Sequence, residues 1–149
     1  MTPGGDAIAA AEIRRRLIGS WRPVSWEWYD AGGAVNSPLG EDPVGLLIYD
    51  RSGFVSAQLM RRQQPLFRDD DWRHAADEEK AAAWSGYFGY FGRYEIDEEA
   101  GTITHLIEGS WFPNLVGTRQ VRQYSFDGNR LSLTAQTPWG RVVLVWEKA

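Results

Sequence analysis

His105, Glu108, Gln120 and Arg122 stand inside two apolar, β-prone runs, Thr102 to Ser110 and Gly117 to Phe126, joined by a corner containing Pro113, Asn114 and Gly117. These side chains move protons or grip oxygen atoms. His105 is the natural proton-transfer candidate, because an unperturbed imidazole titrates near pH 6.5 and serves as acid or base at neutral pH. Period-two alternation puts His105 on one strand face with Ile103 and Ile107, and Glu108 on the other with Thr104 and Leu106. Only a β-bulge near Gly109 would bring both to the same side. Glu108 is read as a ligand contact, or else as a solvated carboxylate paired with Arg119 or Arg122. On the next strand Thr118, Gln120, Arg122 and Tyr124 share a face. The planar fork of Arg122 suits a carbonyl or carboxylate. Alternation separates the faces without telling which lines a cavity and which meets water.

Aromatic groups supply the second set of candidates. Tyr87, Tyr90 and Tyr94, with Phe88 and Phe91, fall where a helical pattern gives way to a strand. The phenol of Tyr90 or Tyr94 could donate a hydrogen bond to a developing enolate, and Tyr87 could touch a ligand. A helix across a barrel mouth would act as a lid, with Gly86, Gly89 and Gly92 as its mobile points; alternatively the rings plug the barrel end. Ser56 and Gln58 share a strand face with Phe54 and Met60, a mixture that suits an amphipathic pocket wall. Eight Trp, six Tyr and six Phe in 149 residues are more ring area than a small core needs, at roughly 150–250 Å² each. Trp26, Trp111 and Trp146 are therefore expected in a pocket wall, unless with Trp21 they simply fill the interior.

The elements that must hold these groups are mostly strands. A helix is predicted over Ala7 to Leu17 and a second over Ala75 to Phe88, with residues 1 to 6 disordered. Strands are predicted from Ser20 to Tyr29, Val44 to Tyr49, Phe54 to Arg61, Phe91 to Asp97, Thr102 to Ser110, Gly117 to Phe126, Leu131 to Gln136 and Arg141 to Glu147. Tight turns such as Asp50-Arg-Ser-Gly53 and Asp127-Gly128 join most of them. Eight such strands fit an all-β, antiparallel up-and-down barrel in one domain, with one helix at the N-terminus and one between strands three and four.

Composition narrows the function classes. A net charge of −4, with Arg14, Arg15 and Arg16 as the only cationic cluster, gives nucleic acid no broad basic surface; that cluster is read as a solvated helix face. No cysteine is present, so disulfides and thiol chemistry are out. Two histidines and the run Asp69-Asp70-Asp71 lack metal-ligand spacing, so no metal and no cofactor are expected. No signal peptide or membrane span is read, and the expected setting is cytoplasmic, as a monomer or homodimer.

Leu17-Ile-Gly-Ser-Trp21, followed by Val24-Ser-Trp-Glu27, resembles the opening Gly-x-Trp strand of lipocalin-like proteins. Pro38 to Gly45, Leu47 to Asp50, Gln58 to Arg61, Tyr90 to Glu95, and Thr104 to Ser110 with Pro113, Asn114 and Gly117 extend that likeness from about Leu17 to Glu147. The set is similar to the small bacterial and fungal lipocalin-like domain family. The resemblance implies a closed barrel with a cavity for a hydrophobic or amphipathic organic molecule, in the setting of natural-product pathways. Together these readings lead to an enzyme that directs a cofactor-free cyclisation, isomerisation or dehydration. His105 would be its acid/base group, with Tyr90 or Tyr94, Gln120 and Arg122 as donors. The rival is a non-catalytic carrier or sensor of the same ligand class, and a third reading is a solidly packed interaction module.

Overall fold

Val55, Ala57 and Leu59 are buried, while Ser56, Gln58 and Met60 between them are only partly so. The same alternation decides the inner face of Tyr87–Asp97, where Tyr90, Gly92 and Tyr94 are buried and Phe91, Arg93 and Glu95 are exposed. A strand with one buried face must join a sheet that closes over it, and here the sheet closes on itself. A computed structural model describes residues 3–149, with side chains described from Ala9 onward. Its strands are β1 (Gly19–Tyr29), β2 (Val35–Asn36), β3 (Val44–Tyr49), β4 (Phe54–Met60), β5 (Tyr87–Asp97), β6 (Thr102–Ser110), β7 (Arg119–Asp127), β8 (Arg130–Thr137) and β9 (Gly140–Lys148). The order is β2-β1-β3-β4-β5-β6-β7-β8-β9, all antiparallel, and β1 also pairs with β9. Eight strands thus form the closed barrel, and the two-residue β2 is an extra edge piece.

Two helices complete the fold, α1 (Pro3–Leu17) and α2 (Asp77–Ser85). Of the segment expected to be disordered, residues 1 and 2 lie outside the described residues; 3–6 begin α1. The predicted second helix is too long. It stops at Ser85 because the Gly86 N–H closes back on the Ala82 and Ala83 carbonyls, and the chain then pairs Tyr87 with Met60 and Phe88 with Leu59. β-prone aromatics with a partner strand beside them win over helical continuation. At the start of α2 the Glu79 carboxylate accepts from the Ala76 and Arg68 backbone N–H groups, which holds its pKa below the usual carboxylate value.

The two ends of the barrel differ. At one end the β3–β4, β5–β6 and β7–β8 turns gather, and the C-terminal part of α1 packs there against Arg51, Tyr94 and Phe126. The Asp50–Phe54 turn needs Gly53 at φ +95°, and the Phe54 N–H donates to Asp50 Oδ1. Leu17, fully buried, fills this end with Trp21, Tyr49 and Leu131, and Trp21 Nε1 donates to the Leu17 carbonyl. The arginine cluster of α1 is more than a solvated face. Arg14 donates to the Arg51 carbonyl and Arg16 lies 4.3 Å from the Phe126 ring centre. The opposite end carries the 61–86 connection with α2, the 3₁₀ turn Pro113–Leu115 and the β8–β9 turn.

Candidate functional site

β6 carries Ile103, His105 and Ile107 inward, all buried, with His105 at 1% exposure. The register places His105 opposite Tyr94 on β5 and opposite Gln120 on β7. A bulge lies between Phe91 and Gly92, where Glu108 is the extra residue. Gly92 is required there, since a Cβ would sit 1.9 Å from the Leu106 carbonyl oxygen. The bulge does not turn Glu108 inward. Its carboxylate is exposed and lies 3.6 Å from Arg93, so Glu108 is not a cavity residue, and its cation is neither Arg119 nor Arg122. Arg119 pairs instead with Glu95.

A cavity of about 400 Å³ occupies the half of the barrel away from α1. Trp26, Phe88, Leu133, Leu144 and Trp146 give it apolar walls, and Tyr90, His105, Gln120 and Arg122 give it polar points. Its opening lies between β7 and β8. Those strands pair only from Gln123↔Thr134 down to Asp127↔Arg130. Above that, Arg119 to Arg122 and Ala135 to Thr137 flank the cavity across a gap. The slot follows from the strands' different partners: β7 keeps pairing with β6 and β8 with β9 beyond the point where they leave each other.

The inner polar group is a three-residue chain. Tyr49 Oη is 2.7 Å from His105 Nε2, and Tyr90 Oη is 2.5 Å from His105 Nδ1. Burial first, and the Arg122 charge second, push the imidazole pKa down to about 3; His105 is neutral at neutral pH. Burial also raises both phenols, Tyr49 strongly. None of the three carries charge near pH 7. Arg122 donates to the Val121 carbonyl, and Gln120 Nε2 donates to Thr118 Oγ1. The Nε1 atoms of Trp26 and Trp146 are buried without a hydrogen-bond partner. Among the cavity-lining residues there is no Asp or Glu. The wall is therefore rich in donors, and its side-chain acceptors are neutral, such as the amide oxygens of Gln120 and Gln136.

Of the residues singled out from the sequence, Trp26, Tyr90, His105, Gln120, Arg122 and Trp146 meet around this cavity. Tyr94 and Tyr124 point inward but lie outside its lining. The Tyr94 hydroxyl donates to the Asp50 carbonyl at the closed end, and Tyr124 packs on Phe126. Ser56, Gln58 and Tyr87 are on the outer surface, where the Tyr87 hydroxyl donates to Gln58 Oε1. The mixed face of β4 is its outside. Trp111 also lies off the cavity, in an aromatic cluster with Trp84, Phe88 and Phe112. That cluster seats α2 beside the mouth, but no α2 residue lines the cavity. Gly89 and Gly92 are buried inside a paired strand, so they are not lid hinges. Tyr49, which no sequence signal marked, completes the polar chain from 56 residues away.

A model of the lipocalin-like domain matches residues 18–149. A relative from Aspergillus oryzae, named 4'-hydroxy-3'-methoxypropiophenone carrier protein ppsC, is 32% identical over 106 residues, which cover 63% of this chain and 96% of that protein. The family match begins just after α1 ends at Leu17 and takes in all eight barrel strands, so with its closed barrel and internal cavity this chain belongs to the lipocalin-like domain family.

Proposed function

We propose that this chain is a carrier that takes one neutral, partly oxygenated aromatic small molecule of secondary metabolism into its barrel and releases it unchanged. The observation that carries this reading is the roughly 400 Å³ cavity with apolar walls, several donors and no carboxylate. Its size lies within the ~300–1,000 Å³ of ordinary ligand sites. Apolar walls favour a ring system, and a donor-rich wall favours carbonyl, ether or phenol oxygens over ammonium groups. The name of the Aspergillus relative, an aryl-ketone carrier, agrees with that chemistry. The reading includes a cytoplasmic location and a monomer or homodimer. No helix among the described residues is long and apolar enough to cross a membrane.

A cofactor-free cyclisation, isomerisation or dehydration is the second reading, favoured by the Tyr90–His105 pair on the cavity wall. Against it stands an imidazole whose pKa is about 3. Such a group is a weak base at neutral pH. The test uses 4'-hydroxy-3'-methoxypropiophenone as probe, titrated by tryptophan fluorescence and then recovered from the complex for mass analysis. Saturable one-to-one binding with unchanged probe is the expected result. A new product mass would favour catalysis, and failure to bind this probe or related hydroxylated aryl ketones would defeat the carrier reading.

A further inference from the structure

We propose that Tyr49, His105 and Tyr90 form a one-way hydrogen-bond chain whose free end, the Tyr90 hydroxyl proton, is the docking point for a carbonyl-type oxygen of the molecule in the cavity. The inference rests on the carrier reading for its ligand, but its core is a count of protons within the protein.

Two phenols and one neutral imidazole hold three polar protons among them, and two hydrogen bonds join them. A neutral imidazole has one N–H and one bare nitrogen. Only two assignments satisfy both bonds. In the first, the Tyr49 hydroxyl donates to Nε2, and the Nδ1–H donates to Tyr90 Oη, leaving the Tyr90 proton free. In the second, Tyr90 donates to Nδ1, and the Nε2–H donates to Tyr49 Oη, leaving the Tyr49 proton free. An imidazolium would leave both free, and its low pKa removes that form at neutral pH.

Location decides between the two. Tyr49 is 0% exposed, lies outside the cavity lining, and has no hydrogen-bond partner besides His105 among the described residues. A free hydroxyl proton there would be buried with no acceptor, a costly arrangement. Tyr90 lines the cavity, so its free proton has a place to go: water in the empty barrel, cargo in the loaded one. The first assignment is therefore the native one. His105 is a fixed relay that accepts from the closed end and donates toward the cavity. Tyr90, with its oxygen already engaged by Nδ1–H, can meet cargo only as a donor. That makes Tyr90 a specificity-determining residue for acceptor oxygens, and Tyr49 a positioning residue that acts through His105.

The test has two parts. With only His74 and His105 in the chain, ring-nitrogen NMR of histidine-labelled, ligand-free protein identifies the His105 tautomer directly. Nδ1 protonated and Nε2 bare is expected; the reverse overturns the proposal. The second part compares 4'-hydroxy-3'-methoxypropiophenone with 2-methoxy-4-propylphenol, which replaces its carbonyl by a methylene. The wild type should prefer the ketone about 10-fold, the scale of one hydrogen bond in a dry site. Tyr90→Phe should bind the two alike. Tyr49→Phe, which alters no cavity-lining atom, should yield a mixed tautomer and a reduced ketone preference. A preference that survives Tyr90→Phe overturns the docking point while leaving the carrier reading intact. If the wild type binds neither probe the carrier reading fails, and the tautomer alone decides the chain.

Discussion

Burial of His105 between two phenols ties its protonation to folding. The folded-state pKa of about 3 lies below the ~6.5 of an unfolded chain. Between those values the unfolded chain binds a proton that the folded protein does not. Stability from this group is therefore fully present above about pH 6.5 and is lost as pH falls toward 3, by about 1.4 kcal/mol per pH unit. His105→Gln keeps a neutral side chain that can both donate and accept, but has no titration. Urea unfolding from pH 7 to pH 4 should show the wild type losing stability faster than His105→Gln by roughly that slope. Parallel profiles would mean that the imidazole is reached by solvent or protonated in place. The sequence placed His105 on one face with Ile103 and Ile107, and that face is the inner one. It could not supply the pKa, because the cause is burial and the Arg122 charge, and both depend on the closed barrel.

At the scale of the strand, the period of two was legible outside the bulged stretches of β1 and β6, and its phase was not. Ser56 and Gln58 share a face with Phe54 and Met60, yet it is Val55, Ala57 and Leu59 that are buried. A half-polar face and a wholly apolar one both suit a cavity barrel, so composition does not choose between them; closure of the sheet does. The Tyr87–Phe88 boundary failed for a related reason, since helix propensity is local and the β4 partner that captures Tyr87 lies far back in the chain. The assignment of faces has a direct check. Ala57→Leu adds carbon atoms to the cavity wall and should weaken probe binding at least 10-fold while the protein stays folded. Ser56→Ala, one residue away on the outside, should leave affinity unchanged within twofold. If the two affect binding alike, the cavity is not where this cargo sits.

On the scale of the whole molecule, closure by β1–β9 pairing gives a barrel whose two halves have separate tasks. The α1 half is packed solid around Leu17, Trp21 and Tyr49, and the other half is hollow and split open between β7 and β8. A solid half can hold the sheet's curvature while the hollow half lacks the contacts a filled core would provide. The eight-stranded plan was readable from turn spacing. The slot was not, because each strand alone shows no sign of where its pairing ends. This division predicts that stability and affinity respond to different positions. Leu17→Ala removes a fully buried side chain and should cost about 2–5 kcal/mol of unfolding free energy, with the affinity of the folded fraction for the probe kept within twofold. Leu115→Ala removes a half-buried contact at the mouth, and should cost about 1 kcal/mol of stability while weakening the probe roughly fivefold. Calorimetric unfolding and fluorescence titration on both variants measure the two quantities independently. If Leu17→Ala weakens affinity as much as Leu115→Ala does, the two halves are mechanically coupled and cargo must be released by loosening the whole barrel rather than through the slot.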